Sequence, residues 1–348
     1  MTRPPATGSA KKQRASIRDV ARLAGVSAMT VSRVLSETNS GLVRSETVKA
    51  VMRAIERLGY VPVQTALQNR PSRRHVLGLV VRYPAMVARP LWQRTLVGMQ
   101  ERCSHHGYDL LLISRDAPKW AAKRPEIVYL DGRCDGLIMF EDADMLPLVR
   151  KLRKRNLPIV AMYGKTPTVE ASVTVDNTDG ISAAVRHLVS LGHRRIAHLA
   201  GPETSADARE RRAAFAAAMA DAGVDQWAGR IRRAAWGADL ATEDFSDLLA
   251  WQPTAVCCAN DYQAASLIEF ATRRGVLVPG DLSIVGFDGL PFASMLNLTT
   301  VEVPCEEVGR QAVDALVGIV ETGRPPQRNV MLAVALAVRA STTPPRSR

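Results

Sequence analysis

The rhythm of hydrophobic and polar positions changes near residue 76. Before it, apolar residues recur at helical spacing. In "SIRDVARLA" Ile17, Val20, Ala21 and Ala24 share one face, Ser16 is placed to cap, and Asp19 stands at the capping-box position. Gly25 predicts the stop, because glycine accepts the left-handed backbone that ends a helix. In "VSAMTVSRVL" (26 to 35) Ser27 caps a second helix whose Val31, Val34 and Leu35 point inward. A third helix is expected from Ser45 to Leu58, with Val48, Val51, Ile55 and Leu58 inward and Gly59 as its stop. Two short helices joined at a glycine and braced by a third predict a helix-turn-helix domain. "YVPVQTALQNRPSRR" (60 to 74) contains Pro62 and Pro71, which set it apart as a hinge.

From Val76 the pattern consists of apolar runs: "VLGLVV", "DLLLIS", "GLIMF", "PIVAMY", "SVTVD", "RIAHLAG", "AVCCAN" and "SIVGFD". Amphipathic stretches such as 92–106, 144–156, 178–191, 206–222 and 261–274 separate them. Continuous apolar strands alternating with helices predict parallel sheets covered on both faces, and so many units divide naturally between two doubly wound lobes. The expected fold is therefore an all-α head and hinge followed by a two-lobed parallel α/β core. Its boundaries are an arm over 1–15, a head over 16–61, a hinge over 62–74, a core over 75–342 and a polar tail over 343–348.

Charge sharpens this picture. Of 46 Lys/Arg and 34 Asp/Glu, residues 1–74 hold 14 and 4, leaving 32 and 30 for the remainder. "KKQR" (11 to 14) alone would be a solvated tail, but the excess runs through the patterned segment to Arg74. A polyanion-binding head on a near-neutral body is the implication. No apolar core of a signal peptide and no membrane-length run is seen, so a cytoplasmic protein without a membrane partner is expected. Cys103, Cys134, Cys257, Cys258 and Cys305 have no CxxC spacing and read as free thiols, mostly buried, rather than metal ligands or disulfides. The first strand is not followed by GxGxxG, and neither a P-loop nor GxSxG occurs, so neither an enzyme nor a cofactor is expected. His187, His193 and His198, spread over a helix, its end and a strand, suit structural roles.

"IRDVARLAGVSAMTVSRVL" and "AIERLGYVP", then "VDNTDG", "HLVSLGHRRIAHLAG", "RERRAAF", "CCANDYQA", "SIVGFDGLP" and "LTTVEVP", closely resemble the LacI/GalR family of bacterial transcriptional repressors from about Ser16 to Thr342. The resemblance implies a regulator whose two heads, on a homodimer, read a near-palindromic double-stranded operator, and whose core binds a sugar or sugar-acid effector. The absence of a terminal heptad helix favours a dimer over a tethered tetramer. A cytoplasmic sugar-binding or sugar-modifying protein is the alternative, and a periplasmic binding protein would share the core.

The resemblance assigns DNA contact to Ser16, Ser27, Ala28, Met29, Thr30, Ser32 and Arg33, with Leu67 and Asn69 in the hinge. Arg33 can grip a base edge or a phosphate, whereas Ala28 and Met29 read shape and thymine methyls. Residues just after strands are the effector candidates: Tyr83, Trp92, Asp207, Arg211, Trp236, Asn260 and Asp288. Arg211 and Asp288 form the implied hydroxyl clamp, Trp236 the stacking ring and Asn260 a further partner; Asp176 and Asp179 are weaker candidates. The first loop is a few residues longer than the family pattern, and its Arg82 and Arg89 could favour an acidic sugar or serve as surface charges.

Where the family carries a hinge leucine that wedges open the central base step, this chain has Asn69. Leu67 stands two residues earlier, roughly opposite on a helix, so either the wedge is polar or the hinge helix is re-phased. Asn69→Leu is expected to tighten operator binding and increase bending in a gel-based bend assay. No change in either would exclude a polar wedge.

Overall fold

The computed structural model describes residues 16–35, 43–58, 73–81, 84–114, 125–130, 132–140, 145–165, 168–224, 227, 229–236 and 242–346. Leu67, Asn69, Arg82 and Tyr83 lie outside them. The chain divides into two units, Met1–Ser72 and Arg73–Arg348.

In the first unit α1 (Ile17–Ala24) opens with a complete capping box: the Ser16 amide donates to Asp19 Oδ2 at 2.9 Å, and the Asp19 amide donates to Ser16 Oγ at 3.4 Å. Gly25, at φ 66°, closes the helix with its N–H on the Ala21 and Arg22 carbonyls. α2 (Ala28–Leu35) starts with the Thr30 amide on Ser27 Oγ at 3.1 Å. α3 (Ser45–Leu58) braces the pair, and Val20, Ala21, Val31, Val51 and Ala54 make the small core.

The second unit holds two six-stranded sheets. β1 (Val76–Val81), β2 (Asp109–Ser114), β3 (Gly136–Phe140), β4 (Ile159–Met162) and β5 (Ala171–Val175) enter the first sheet, with α4 (Pro90–His106) and α5 (Leu146–Arg153) among the connections. The chain then crosses into α6 (Asn177–Ser190), β6 (Ile196–Ala200), α7 (Ala206–Asp221), β7 (Ile231–Arg233), α8 (Thr242–Ala250), β8 (Ala255–Cys258), α9 (Asp261–Arg273), β9 (Ser283–Asp288), α10 (Pro291–Met295) and β10 (Thr299–Glu302). It returns through α11 (Cys305–Thr322) and β11 (Asn329–Leu332), and crosses again to β12 (Ala335–Ala337). The strand orders are β11-β5-β4-β3-β1-β2 and β12-β10-β9-β8-β6-β7, parallel throughout except for the antiparallel edge β12.

The core is larger at its end than the sequence pattern suggests. Residues 343–346 are not a free tail: the Thr343 amide donates to Ser283 Oγ at 3.0 Å, and Arg346 pairs with Asp281 at 2.6 Å. His193 bridges Thr254, Ser283 and the Thr343 carbonyl, while buried His198 binds the Cys257 carbonyl at 2.7 Å and stacks on Phe215. Both histidines are fixed structural members. Cys103, Cys257, Cys258 and Cys305 are buried free thiols, and Cys134 is half-buried.

The first lobe is held by a close crossing of α4 and α11. Arg94 makes a two-pronged bond to Glu306 at 2.7 and 2.8 Å, and Asp314 accepts from Arg102 at 2.6 Å. Gly98 and Gly309 make the approach possible: a Cβ on Gly98 would overlap the Glu306 carbonyl, and one on Gly309 the Thr95 carbonyl. Because rigid backbone is what it would meet, Gly309→Val is expected to cost about 2 kcal/mol or more, read as a lower midpoint in urea unfolding. An unchanged midpoint would show that the crossing can open without loss.

Candidate functional site

On the head, α2 divides by face. Met29 is 67% exposed and Arg33 is exposed, whereas Val31 is fully buried and Val34 packs on the small core. Ala28 differs from the expectation of a fully outward residue: it is half-buried and touches that core, so only part of its methyl faces outward. Ser27 and Thr30 are joined hydroxyl to hydroxyl at 2.9 Å, and Ser32 is half-buried. Ser16 is committed to its cap, with Oγ on Asp19 at 2.6 Å. Lys49, Arg53 and Arg57, exposed at i, i+4 and i+8 along α3, add a cationic row suited to phosphates.

In the second unit a cavity of about 180 Å³ lies between the lobes. Its lining residues sit at or after strand ends. β1, β3 and β4 bring Val80, Met139, Phe140 and Tyr163, and the start of α4 brings Leu91 and Trp92. From the other lobe come Ser205, Asp207 and Arg211 after β6, Trp236 after β7, Asn260 after β8 and Asp288 at the end of β9. Carboxyl ends of parallel strands point into an inter-lobe crevice, so residues at those ends and in the segments that follow them line it. Trp92, Asp207, Arg211, Trp236, Asn260 and Asp288 are thus brought together. Asp176 and Asp179 are not: Asp176 caps α6 through the Asp179 amide at 2.9 Å, and Asp179 faces Arg186 at 3.4 Å.

Arg211 organises the polar wall. Its Nε donates to Asn177 Oδ1 at 2.8 Å, and Nη1 donates to the Ala259 carbonyl and, at 3.4 Å, to Asp288 Oδ1. Its flat face lies 3.7 Å from the centre of the Phe287 ring. Asn177 turns its amide to Asp207 at 2.8 Å and Glu210 at 2.9 Å. Neither Asn177 nor Phe287 stands out in the sequence; the VDN that precedes α6 is the available signal, and the aspartates around the asparagine obscure it.

Asn260 is more fixed than free. Its Oδ1 accepts from the Gln263 amide at 2.8 Å as the α9 cap, and its Nδ2 donates to the Trp236 carbonyl at 3.0 Å. Trp236 lies flat enough on Gly201 that a Cβ there would meet the ring near 2.5 Å. These contacts hold the indole at the cavity wall.

The carboxylates outnumber the cation beside them. Burial pushes the Asp207 carboxyl up to about 6, Asp261 to about 7 and Asp288 to about 8, with Arg211 offsetting only part of the desolvation. Asp261 is internally committed, accepting from the Leu290 amide at 2.7 Å and from Thr300. Asp288 is the least satisfied of the three and sits at φ 110°, a strained backbone for any residue but glycine. Strain and an under-satisfied carboxylate at one cavity position are marks of a binding group. Among the described residues no cluster of His, Cys, Asp and Glu could hold a metal, and no helix is long and apolar enough to cross a membrane.

Comparison with known proteins agrees with both units. Residues 16–63 match the bacterial regulatory proteins of the lacI family, and residues 185–342 match a periplasmic binding protein-like domain. The chain is 30% identical over 333 residues to the HTH-type transcriptional repressor PurR of Photobacterium profundum, covering 94% of this chain and 98% of that protein. It is equally 30% identical over 335 residues to the HTH-type transcriptional regulator DegA of Bacillus subtilis, again covering 94% and 98%. Among solved structures, the Lac repressor dimer bound to operator and the anti-inducer ONPF aligns with TM-score 0.80 and 28% identity over 95% of this chain and all of that one. The CelR–cellobiose complex aligns with TM-score 0.70 and 29% identity over 94% of this chain and all of that one. With its helix-turn-helix head and effector-binding core, the chain belongs to the lacI family of bacterial regulatory proteins and is a DNA-binding transcriptional regulator.

Proposed function

We propose that this regulator is a cytoplasmic homodimeric repressor without turnover of its own, whose operator affinity is set by a small hydroxyl-rich effector held between the lobes. The observation that carries the effector reading is the convergence of Arg211, Asp207, Asp288 and Trp236 on one inter-lobe cavity. A guanidinium and carboxylates grip vicinal hydroxyls, and an indole covers the apolar face of a sugar ring. A neutral polyol suits this wall better than an acid, since its guanidinium is already engaged by Asn177, the Ala259 carbonyl and Asp288; an acid would depend on Arg89 at the other side of the cavity. Binding across both lobes shifts the population of lobe arrangements, the lever by which an effector reaches an operator-binding head.

Selection of bound DNA from a random pool, with and without a panel of sugars, tests the whole reading. A near-palindromic site whose enrichment changes with one sugar is the expected result, and no enriched site would overturn it. Arg33→Ala is expected to weaken binding to that site by roughly 10- to 100-fold and relax the preference at one base pair per half-site. A uniform loss across all sequences would make Arg33 a phosphate contact instead.

The cavity carboxyls also predict a pH dependence. Asp207 and Asp288 titrate above the ordinary 3.8, so the folded empty core holds protons that the unfolded chain has released. The stability they contribute is therefore present at low pH and declines as pH rises from about 4 through about 8. Asp288→Asn mimics the protonated form, and its melting temperature should fall less between pH 6 and 9 than that of the parent. It should also bind a hydroxylated effector at least tenfold more weakly at pH 8. Parallel melting profiles would place the burden of desolvation elsewhere.

A further inference from the structure

The second unit begins at Arg73, and its first residues are held more firmly than a plain linker requires. The Asp135 carboxylate accepts the Arg74 amide on Oδ1 at 2.7 Å, the His75 amide on Oδ2 at 2.7 Å and the Val76 amide at 3.4 Å. Three consecutive N–H groups turned to one carboxylate form an anion nest that the protein fills with its own side chain. His75 takes the left-handed backbone at φ 56°, which a residue other than glycine keeps only where its surroundings impose it. Its carbonyl accepts from the Asp109 amide at 2.8 Å, its ring lies 5.0 Å from that of Tyr108, and the Val76 carbonyl accepts from the Asp135 amide at 2.8 Å. Arg73 in turn reaches the Glu321 carbonyl of α11 at 2.9 Å.

β1 is already paired with β2 from Val76 and with β3 from Leu77, so the strand itself does not need these contacts. What they fix is direction: one left-handed residue turns the chain sharply, and the nest locks that turn. Tyr108 and Asp109 at the start of β2, Asp135 just before β3 and Glu321 in α11 all belong to the first lobe, so the exit angle is tied to that lobe. The segment that leads to the DNA-reading head stands immediately before Arg73. In a regulator with two heads, the exit angle governs where each head can reach, and two half-sites are gripped together only where reach and spacing agree. We infer that Asp135 and His75 are positioning residues that set the half-site spacing this regulator accepts, by fixing the angle at which the chain leaves each first lobe. This rests on the reading of the protein as a homodimer on a near-palindromic operator, and it gives neither residue a contact with DNA or effector.

Fluorescence anisotropy titration of the full-length protein tests it on four DNAs: the operator selected from the random pool, that operator with one base pair inserted at or removed from its centre, and a single half-site. The parent is expected to bind the selected spacing about tenfold or more tightly than either altered spacing. Asp135→Asn keeps one acceptor oxygen but turns an NH₂ group toward the other amide. His75→Gly keeps the left-handed turn without strain and frees it to move, so it reads the same role where Asp135→Asn folds poorly. Each substitution should reduce the spacing preference to about threefold or less while half-site binding stays within about twofold of the parent. Concentrations set by stoichiometric titration with DNA keep an inactive fraction out of these comparisons. A parent indifferent to spacing, retention of its preference in both variants, or an equal loss on all four DNAs would overturn the inference, the last because it marks a merely structural role. The failures are distinguishable: a selected palindrome with any of these results refutes only the role of Asp135 and His75, whereas selection of an unpaired half-site, or of no site, refutes the dimeric reading beneath it.

Discussion

A guanidinium cannot shed its charge when buried, so the structure around Arg211 must supply what water would have supplied. Its side chain is 4% exposed. Asn177 from the start of α6, the Ala259 carbonyl after β8, Asp288 at the end of β9 and the face of Phe287 together meet that requirement. Three separate pieces of chain are therefore fixed around one cation. Removing any partner would leave charge uncompensated in a site where that is costly, which makes the position of each strand end a condition of stability as well as of binding.

The same residues lie beside the places where the chain passes between lobes. Asn177 is the first residue of α6, immediately after the crossing from β5, and Asp288 and Gly289 lie against β10, from which the chain returns to α11. The Gly289 carbonyl also accepts from Arg94 at 3.3 Å, and Arg94 is the residue clamped to Glu306 in the α4–α11 crossing. A displacement of Asp288 is thus felt by the first lobe through two bonds. The α4–α11 crossing, packed backbone to backbone at Gly98 and Gly309, leaves little room for local yielding beside Arg94.

The strands legible in the sequence are those buried on both faces, because burial demands an unbroken apolar run. β7, β10, β11 and β12 escape that reading: β7 is "IRR", β11 is "NVML" with alternating exposure, and β12 is a short edge. β10, "TTVE", is buried for most of its length yet begins with two threonines whose hydroxyls are bonded, so its sequence looks polar. For the cavity, Asn260 and Asp288 are legible because a polar residue at the end of an apolar run is out of place in a core, whereas Asp207 and Arg211, inside the helix after β6, and Trp236, after the unread β7, are picked out by the family resemblance. Asn177 is not, since its role depends on Arg211, 34 residues away. The apolar side of the cavity is not either: Met139 inside "GLIMF" is indistinguishable from core until the opposite lobe leaves a gap in front of it.

That gap gives the two walls different work. Hydrogen bonds to Arg211 and Asp288 are directional and hold a ligand in one pose, but they anchor it to the second lobe alone. Contact with Val80, Met139 and Phe140 is non-directional, and it grows with every ångström by which the first lobe approaches. A ligand satisfied only by the polar wall has no differential affinity for a closed arrangement, and such a ligand shifts nothing however tightly it binds. On the proposed effector reading, regulation therefore depends on the apolar side of the pocket: the arginine network holds the ligand's pose, and the free energy that draws the lobes together comes from the surface facing it.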